Sequence, residues 1–255
     1  MSGEELAGRH ALITGGGTGI GLAIAQALAA RGAQVTITGR RGAVLEEAAA
    51  ESPGLHPLVM DVAEPESVAE GCATATGARG PVTICVPNAG IAEGKSLTKM
   101  DFAFWRRMMA INLDGAMLTI QACLPSMKAE GWGRALFVSS IAGLKGEKGA
   151  PAYTASKHGM IGLMRGLSED YLGTGLTFNA LCPAYVDTDI VTHNTESIAA
   201  RARISPDDAR ALMVNRNRHK RLIRPEEVAA AALWLCLPGS ESVNGQCIEI
   251  AGGQM

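Results

Sequence analysis

The sequence is poor in aromatic residues, and its charges almost cancel. Phe, Trp and Tyr together make up 4% of the 255 residues, and 23 basic side chains face 25 acidic ones, for a formal net charge of −2. A nearly neutral chain has no overall field that favours nucleic acid or a charged membrane surface, so we expect neither as a partner. Alanine and glycine are abundant instead, as expected where helices pack closely on a sheet.

The sequence also lacks the patterns of metal-binding, secreted and membrane proteins. Its six cysteines are scattered without a C-x-x-C pair, so we expect small buried apolar residues and no metal site. The N-terminus has no basic region followed by an apolar core, and no uninterrupted apolar run is long enough to span a bilayer. These absences lead us to expect a cytoplasmic protein.

Strand and helix patterns alternate from end to end. Predicted strands (10–14, 34–38, 57–61, 82–86, 135–138, 176–182, 246–250) are separated by predicted helices (20–30, 43–50, 66–76, 101–127, 152–172, 226–237). Such alternation implies crossover connections and a doubly wound parallel sheet of about seven strands, with helices on both faces. We predict a single domain over residues 1–255. The irregular stretch 184–224 is expected to contain a substrate lid at about 189–221.

A glycine-rich turn, Thr14-Gly-Gly-Gly-Thr-Gly-Ile-Gly21, follows the first predicted strand. Strand, glycine turn and helix in this order are typical of dinucleotide binding. Gly15 permits the tight turn, and Gly19 and Gly21 let a diphosphate approach the backbone and let the helix pack on the sheet. The helix N-terminus then offers free N–H groups to the anion. A purely structural glycine turn is the alternative interpretation.

A tyrosine and a lysine four residues apart, Tyr153 and Lys157, fall in the predicted helix at 152–172. Positions i and i+4 share one helix face, and an ammonium beside a phenol favours the phenolate. We therefore expect the pKa of Tyr153 to be lowered from about 10 toward neutrality, where a group works well as proton donor or acceptor. The alternative is an ordinary pair on a helix surface.

Together these motifs resemble the short-chain dehydrogenase/reductase family over nearly the whole chain. The matching elements, in family order and spacing, are T-G-x-x-x-G-x-G at 14–21, Asp61-Val62, Asn88-Ala-Gly90, Ile111-Asn112, Ser140, Tyr153-x-x-x-Lys157, Pro183 to Thr188 and Gly245-Gln246. The resemblance implies a Rossmann fold and an NAD(P)(H)-dependent oxidoreductase that interconverts a ketone and a secondary alcohol by hydride transfer. It also implies a homotetramer, formed through the helix at 152–172 and the C-terminal strand.

The resemblance assigns four catalytic roles. Tyr153 would exchange a proton with the substrate oxygen, and Lys157 would lower the pKa of Tyr153 and hold the nicotinamide ribose. Ser140 would hydrogen-bond the substrate oxygen, with Ser139 as the competing choice. Asn112 would support a water that relays protons to Lys157, with a plain hydrogen bond to the backbone as the alternative.

The cofactor-binding residues are expected where the predicted strands end. They are Gly15, Gly17, Thr18, Gly19, Ile20, Gly21, Gly39, Arg40, Arg41, Asp61, Val62, Asn88, Ala89, Gly90, Tyr153, Lys157, Pro183, Val186 and Thr188. Gly39 stands where an acid would select NAD, and the Arg40 guanidinium suits the 2′-phosphate of NADP. We predict NADP(H) as the preferred cofactor and NAD(H) as the alternative. Asp61 is expected to bond the adenine amine or, alternatively, to cap the following helix.

Three positions depart from the family pattern. Pro87 replaces the first of two paired Asn residues, Ala184 stands where Gly is usual, and Ala251 replaces an Asp before the terminal Gly-Gly. Pro87 removes one backbone donor. None of the three is among the reacting groups, so the expected activity is unchanged.

The region around the predicted lid is rich in positive charge. Seven Arg and one Lys face two Asp in this stretch: Arg201, Arg203, Arg210, Arg216, Arg218, Lys220, Arg221 and Arg224. One interpretation is recognition of an anionic carrier such as coenzyme A, which makes a 3-oxoacyl or 3-hydroxyacyl thioester the leading substrate class. The other is a solvated helix face or a subunit contact, with a small aryl or alkyl ketone or alcohol as the alternative substrate. Tyr185 and His193 are further candidates for lining the pocket.

Two other classes of function compete with this interpretation. A non-catalytic dinucleotide sensor would keep the glycine turn, but it would have little need for Ser140, Tyr153 and Lys157 together. An epimerase or dehydratase on the same fold would be expected to have a different glycine spacing and a larger C-terminal substrate domain.

Overall fold

All seven predicted strands form one parallel sheet. The computed structural model describes residues 3–188, 191, 195, 199 and 204–253. The strands are β1 (His10–Thr14), β2 (Gln34–Gly39), β3 (Leu55–Val59), β4 (Val82–Val86), β5 (Gly133–Val138), β6 (Leu176–Pro183) and β7 (Cys247–Ile250), in the spatial order β3-β2-β1-β4-β5-β6-β7. The sheet therefore winds outward from β1 and β4 in both directions, which confirms the predicted Rossmann fold.

Helices cover both faces of this sheet. They are α1 (Gly19–Ala29), α2 (Gly42–Glu51), α3 (Pro65–Arg79), α4 (Phe102–Met109), α5 (Gly115–Glu130), α6 (Pro151–Asp170), α7 (Pro206–Arg216) and α8 (Pro225–Cys236). Four of them begin with proline, whose missing N–H has no helical partner at that position anyway. Helices α1, α2 and α8 pack on one face, and α3, α5 and α6 pack on the other.

The central strands β1, β4, β5 and β6 are buried on both sides. In β1, Ala11 and Ile13 pack into the core beneath α1 and α8, whereas Leu12 packs into the opposite core. Neighbouring strand residues point to opposite faces, so a sheet covered twice needs continuous apolar strands. Five of the six cysteines are buried as expected, and Cys247 is half-buried. Among the described residues, no helix is both long and apolar enough to cross a bilayer.

Two predicted elements near the site have wrong bounds. The third strand spans Leu55–Val59 rather than 57–61, which leaves Asp61 beyond its carboxyl end. The helix predicted at 101–127 is interrupted by a π-helical turn, Ala110–Asp114, between α4 and α5. A π turn is a local widening that hydrophobic periodicity does not reveal.

The stretch predicted to be irregular contains helix α7. The sequence contains two signals for the start of this helix, Ser205 at the N-cap and Pro206 at the first helical position. In the structure, Ser205 Oγ accepts a hydrogen bond from Asp208 N at 3.1 Å. Of the predicted lid, residues 189, 190, 192–194, 196–198 and 200–203 lie outside the described residues, and so do His193, Arg201 and Arg203. Strand β7 lies at one edge of the sheet, and the tetramer expected through β7 and α6 stays a prediction.

Candidate functional site

One continuous cleft runs along the carboxyl ends of the strands. It consists of a cavity of about 610 Å³ and one of about 240 Å³, which share the wall formed by Gly15, Thr18, Arg41, Ala89, Gly90 and Ile91. The shared wall lies at the β1–β4 boundary, where the strand order reverses direction. Ligands of open parallel sheets bind at this switch point.

Nearly all the predicted site residues line this cleft. The smaller cavity is lined by Gly17, Gly39, Arg40, Asp61 and Val62, and the larger by Gly19, Ile20, Asn88, Ser140, Tyr153, Lys157, Pro183, Val186 and Thr188. Tyr185 lines the larger cavity as well. Gly21 and Asn112 are in neither wall, because both are packed behind it.

The glycine turn is a close backbone cradle. Gly15 and Gly19 have φ angles of 64° and 54°, in the left-handed region that favours glycine. A Cβ on Gly21 would lie 2.3 Å from Gly15 O, so Gly21 serves packing rather than ligand contact. The Thr18 side chain makes no cap hydrogen bond to α1, which leaves the N–H groups of the first turn to an anion.

Asn88 and Thr14 fasten this turn to the next strand. Asn88 Nδ2 donates to Thr14 O at 2.9 Å and to Gly15 O at 3.1 Å. In return, Thr14 Oγ1 accepts from the backbone N–H groups of Asn88 and Ala89, both at 3.0 Å. Thr14 was missed as a site residue, although its place directly before the glycines was the available signal. Asn88 therefore stabilises the glycine turn and also lines the larger cavity.

The smaller cavity has free hydrogen-bonding groups where β2 ends. Arg40 and Arg41 are exposed, and within the described part of the chain neither forms an ion pair. Thr38 Oγ1 is buried in the same cavity wall without a hydrogen-bond partner among the described residues. An unpaired hydroxyl and two guanidinium groups beside a glycine cradle fit the ribose and phosphate of a dinucleotide. Thr38 was missed because a buried strand threonine carries no distinctive sequence signal.

Asp61 shapes the turn on the other side of this cavity. Its Oδ1 accepts from Ala63 N at 3.0 Å, and its own N–H donates to Ser67 Oγ at 3.0 Å. The N-cap residue of α3 is Glu64. The alternative that Asp61 caps α3 is therefore wrong. The carboxylate is held in a turn that lines the cavity.

Burial controls the protonation of Tyr153 and Lys157. Lys157 is 4% exposed, and its Nζ donates to Val138 O at 2.8 Å. Burial lowers the pKa of Lys157 from 10.5 to about 8. Burial also raises the pKa of Tyr153, while a hydrogen bond with Ser140 acts in the opposite direction. The expected lowering of the Tyr153 pKa was wrong. Lys157 Nζ is hydrogen-bonded to Val138 O and lies 5.8 Å from the centre of the Tyr153 ring, so burial of the phenol has the larger effect on its pKa.

The two candidate serines differ in what their hydroxyl groups do. Ser139 Oγ donates to Lys157 O at 3.2 Å, so its hydrogen is used within the fold. Ser140 Oγ accepts from Ala142 N at 3.1 Å, which leaves its O–H free to act as a donor toward Tyr153 and the cavity. The geometry favours Ser140 over Ser139 as the group that meets a ligand oxygen.

Asn112 is fully buried in the π turn and not in a regular helix. Its Oδ1 accepts from Ile91 N at 2.8 Å, and its Nδ2 donates to Ile91 O at 2.9 Å and to Ser156 Oγ at 3.1 Å. A Cβ on Gly90 would meet Asn112 Oδ1 at 3.2 Å and Lys157 Nζ at 3.7 Å. The amide thus ties the loop after β4 to α6 directly behind the lysine.

A polar cluster closes the far end of the larger cavity. Arg216 of α7 forms an ion pair with Glu147, and its Nη1 also donates to Tyr185 OH at 3.0 Å. Glu147 was missed, because nothing in the sequence links a charged loop residue to an arginine 69 positions later.

Most of the other described basic groups of this region are also paired. Arg210 pairs with Asp187 at 3.0 Å, and Arg221 and Arg224 both pair with Glu227. These pairs tie the region after β6 to its own neighbours. Arg218 and Lys220 have no carboxylate partner among the described residues and are exposed.

The backbone accommodates two of the departures from the family pattern, Pro87 and Ala184. Pro87 O accepts from Val138 N at 3.0 Å, and Ala184 N donates to Ile250 O at 3.1 Å. Lys220 is the one non-glycine residue of the described chain with positive φ, so the backbone at Ala184 does not require a glycine.

Comparison with known proteins identifies the group of enzymes to which this architecture corresponds. The model of the short chain dehydrogenase family matches residues 9–199. Cis-4-hydroxycyclohexanecarboxylate dehydrogenase of Sinomonas cyclohexanicum is 38% identical over 98% of both chains. Acetoacetyl-CoA reductase of Rhizobium meliloti (strain 1021) is 33% identical over 96% of this chain and 98% of its own.

A solved structure agrees with these relatives. The crystal structure of a variant actinorhodin polyketide ketoreductase with NADPH superposes with a TM-score of 0.94 at 28% identity, covering 98% of both chains. The chain therefore belongs to the short-chain dehydrogenase family and is an oxidoreductase that acts on CH–OH donors with NAD(P).

Proposed function

We propose that this enzyme interconverts a small ketone and its secondary alcohol with NADP(H), with Tyr153 as proton donor and acceptor. The observation that carries the proposal is the convergence of Ser140, Tyr153 and Lys157 on one cavity that continues into the glycine cradle. Within that convergence, the raised pKa of Tyr153 supports a phenol that holds its proton at neutral pH, as a donor for ketone reduction must.

Each residue has a distinct task in this proposal. The cofactor supplies or accepts the hydride, and the glycine cradle holds its diphosphate. Ser140 donates a hydrogen bond to the substrate oxygen while Tyr153 passes its proton to that oxygen during reduction. Lys157 keeps a positive charge beside the phenolate that remains, and Asn112 positions the loop after β4 against α6.

The preference for NADP(H) rests on the end of β2. A 2′-phosphate carries about two negative charges, which suit the unpaired guanidinium groups of Arg40 and Arg41, and Gly39 removes the acid that would repel it. The unpartnered hydroxyl of Thr38 in the same wall offers a further hydrogen bond to the ribose or its phosphate.

The charge pairing favours a small ketone over a substrate on a phosphate-bearing carrier. Four described basic side chains of the lid region are held by carboxylates of the protein itself. The wall of the larger cavity includes the apolar side chains of Ile91, Ile141, Leu212 and Met213. Such a wall suits the ring or short chain of a ketone.

Replacing the proton donor tests the proposed function against that of a dinucleotide sensor. Tyr153→Phe removes the phenolic hydrogen and should lower kcat for NADPH-dependent reduction of cyclohexanone by about 10²–10⁴-fold, while NADPH still binds. Initial rates and cofactor fluorescence measure the two effects. Tyr171→Phe, at the distant end of α6, should leave both unchanged. A wild-type protein that binds NADPH but reduces no ketone would support the sensor instead.

Removing one guanidinium tests the cofactor preference. Arg40→Ala should raise the KM for NADPH about 10–100-fold and change the KM for NADH little. The substitution removes a contact to the 2′-phosphate, and NADH has no 2′-phosphate. The matched control is Arg106→Ala, another exposed arginine that forms no ion pair within the described part of the chain. A wild-type preference for NADH would contradict the proposal.

Ketone reduction should weaken as pH rises through the Lys157 titration. Lys157 loses its charge at a pKa of about 8. The positive field that stabilises the phenolate left by proton transfer from Tyr153 is then lost. We expect kcat/KM for reduction to fall about tenfold per pH unit above that point. Steady-state rates across the alkaline range measure this. A reduction rate that stays flat far above the Lys157 pKa would rule out the assignment.

The choice of substrate class is open to direct comparison. Acetoacetyl-CoA, 4-oxocyclohexanecarboxylate and cyclohexanone offer a carrier-bound ketone and two free cyclic ketones. We expect the free ketones to have the higher kcat/KM with NADPH, because the paired arginines leave little charge for carrier phosphates. Much higher efficiency with acetoacetyl-CoA would instead support a thioester substrate.

A further inference from the structure

The guanidinium at the far end of the cleft is engaged at only one corner. Arg216 Nη1 serves both Glu147 and Tyr185 OH, the latter at 3.0 Å. Nε and Nη2 of Arg216 have no hydrogen-bond or ion-pair partner in the described part of the chain. The side chain is 46% exposed and lines the larger cavity. One edge of a positioned guanidinium therefore has no partner in the described part of the chain, on a side chain that lines the cavity.

A free guanidinium edge is a specific binding group. Its two N–H donors match the two oxygens of a carboxylate in a planar, bidentate pair. Glu147 and Tyr185 hold the opposite corner, so less side-chain freedom is lost when the edge binds. We infer that the substrate is a keto acid, or its hydroxy acid, whose carboxylate binds this edge of Arg216 while its carbonyl lies at Ser140 and Tyr153. This inference rests on the proposed function of the same site.

The far end and the reacting groups line the same cavity. Tyr185 and Glu147, which hold Arg216, are also close enough to Tyr153 to help raise its pKa. Loop residue Glu147 is itself tied to α6, since its N–H donates to Thr154 Oγ1 at 3.1 Å, one residue after Tyr153. Arg216 and the phenol are therefore open to one substrate within the same cavity.

The charges around the cavity suit a single substrate anion. Glu147 is neutralised by Arg216, and Lys148, in the same wall, has no carboxylate partner among the described residues. Glu93, the other carboxylate in the wall, is held by Arg107 through two hydrogen bonds of 2.7 and 2.9 Å. With both carboxylates paired, Lys148 leaves a net positive charge at this end of the cavity, which favours a monoanion.

The experiment compares a charged ketone with its neutral form. In the wild-type protein, 4-oxocyclohexanecarboxylate should be reduced with a kcat/KM well above that of its methyl ester. Arg216→Met should raise the KM for the acid about 10–100-fold, as expected for a lost charge-assisted pair, and leave the ester within about threefold. Arg210→Met is the matched control on the same helix: it breaks the pair with Asp187, outside the cavity, and should change neither substrate.

Each other outcome decides against the inference. If Arg216→Met lowers kcat/KM equally for acid and ester, Arg216 only holds α7 in place, and the carboxylate site is overturned. If the wild-type protein reduces the ester as well as the acid, the inference fails while the proposed ketone reductase stands. If it reduces neither compound nor cyclohexanone, both the inference and the proposed function are overturned.

Discussion

The cleft depends on the hydrogen bonds that join Asn88 to Thr14 and Gly15. Strands β1 and β4 lie side by side, and their ends would separate at the switch point, because no ladder hydrogen bonds continue into the two loops. The Asn88 amide and the Thr14 hydroxyl replace that ladder with four hydrogen bonds of 2.9 to 3.1 Å. They hold the glycine cradle open on one side and the loop to Gly90 on the other. The diphosphate end and the catalytic end of the cleft share this one support.

A second support runs behind the catalytic lysine. Asn112 bonds to both polar backbone atoms of Ile91 and to Ser156, while Ser139 bonds to Lys157 O and Lys157 Nζ bonds to Val138 O. The loop after β4 is thus joined to α6 by the Asn112 side chain, which lies in neither cavity wall. A group fixed in this way acts through the placement of its neighbours.

Much of the fold could be predicted from sequence because both of its signals are local. Apolar strands such as Val82–Val86 and helix starts such as Pro151 follow from neighbouring residues, and the family spacing extended them to Ser140, Tyr153 and Lys157. The errors have a different origin. The pairing of Glu147 with Arg216 and the burial that raises the Tyr153 pKa depend on residues far apart in the chain. The π turn at Asn112 is a local widening that hydrophobic periodicity does not reveal. The missed helix α7 is an exception among these errors, because Ser205 and Pro206 are local signals for its start.

The buried Lys157 also links catalysis to the stability of the fold. Its pKa of about 8 lies below the ordinary 10.5, so the folded state binds this proton less tightly than the unfolded chain does. The difference corresponds to about 3 kcal/mol, and it weighs against folding wherever the lysine is charged in both states. From this group alone, the fold gains stability as pH rises from the folded value to the unfolded one, through the range in which ketone reduction is expected to decline. At neutral pH the enzyme gives up folding free energy to keep an ammonium where the reaction uses it.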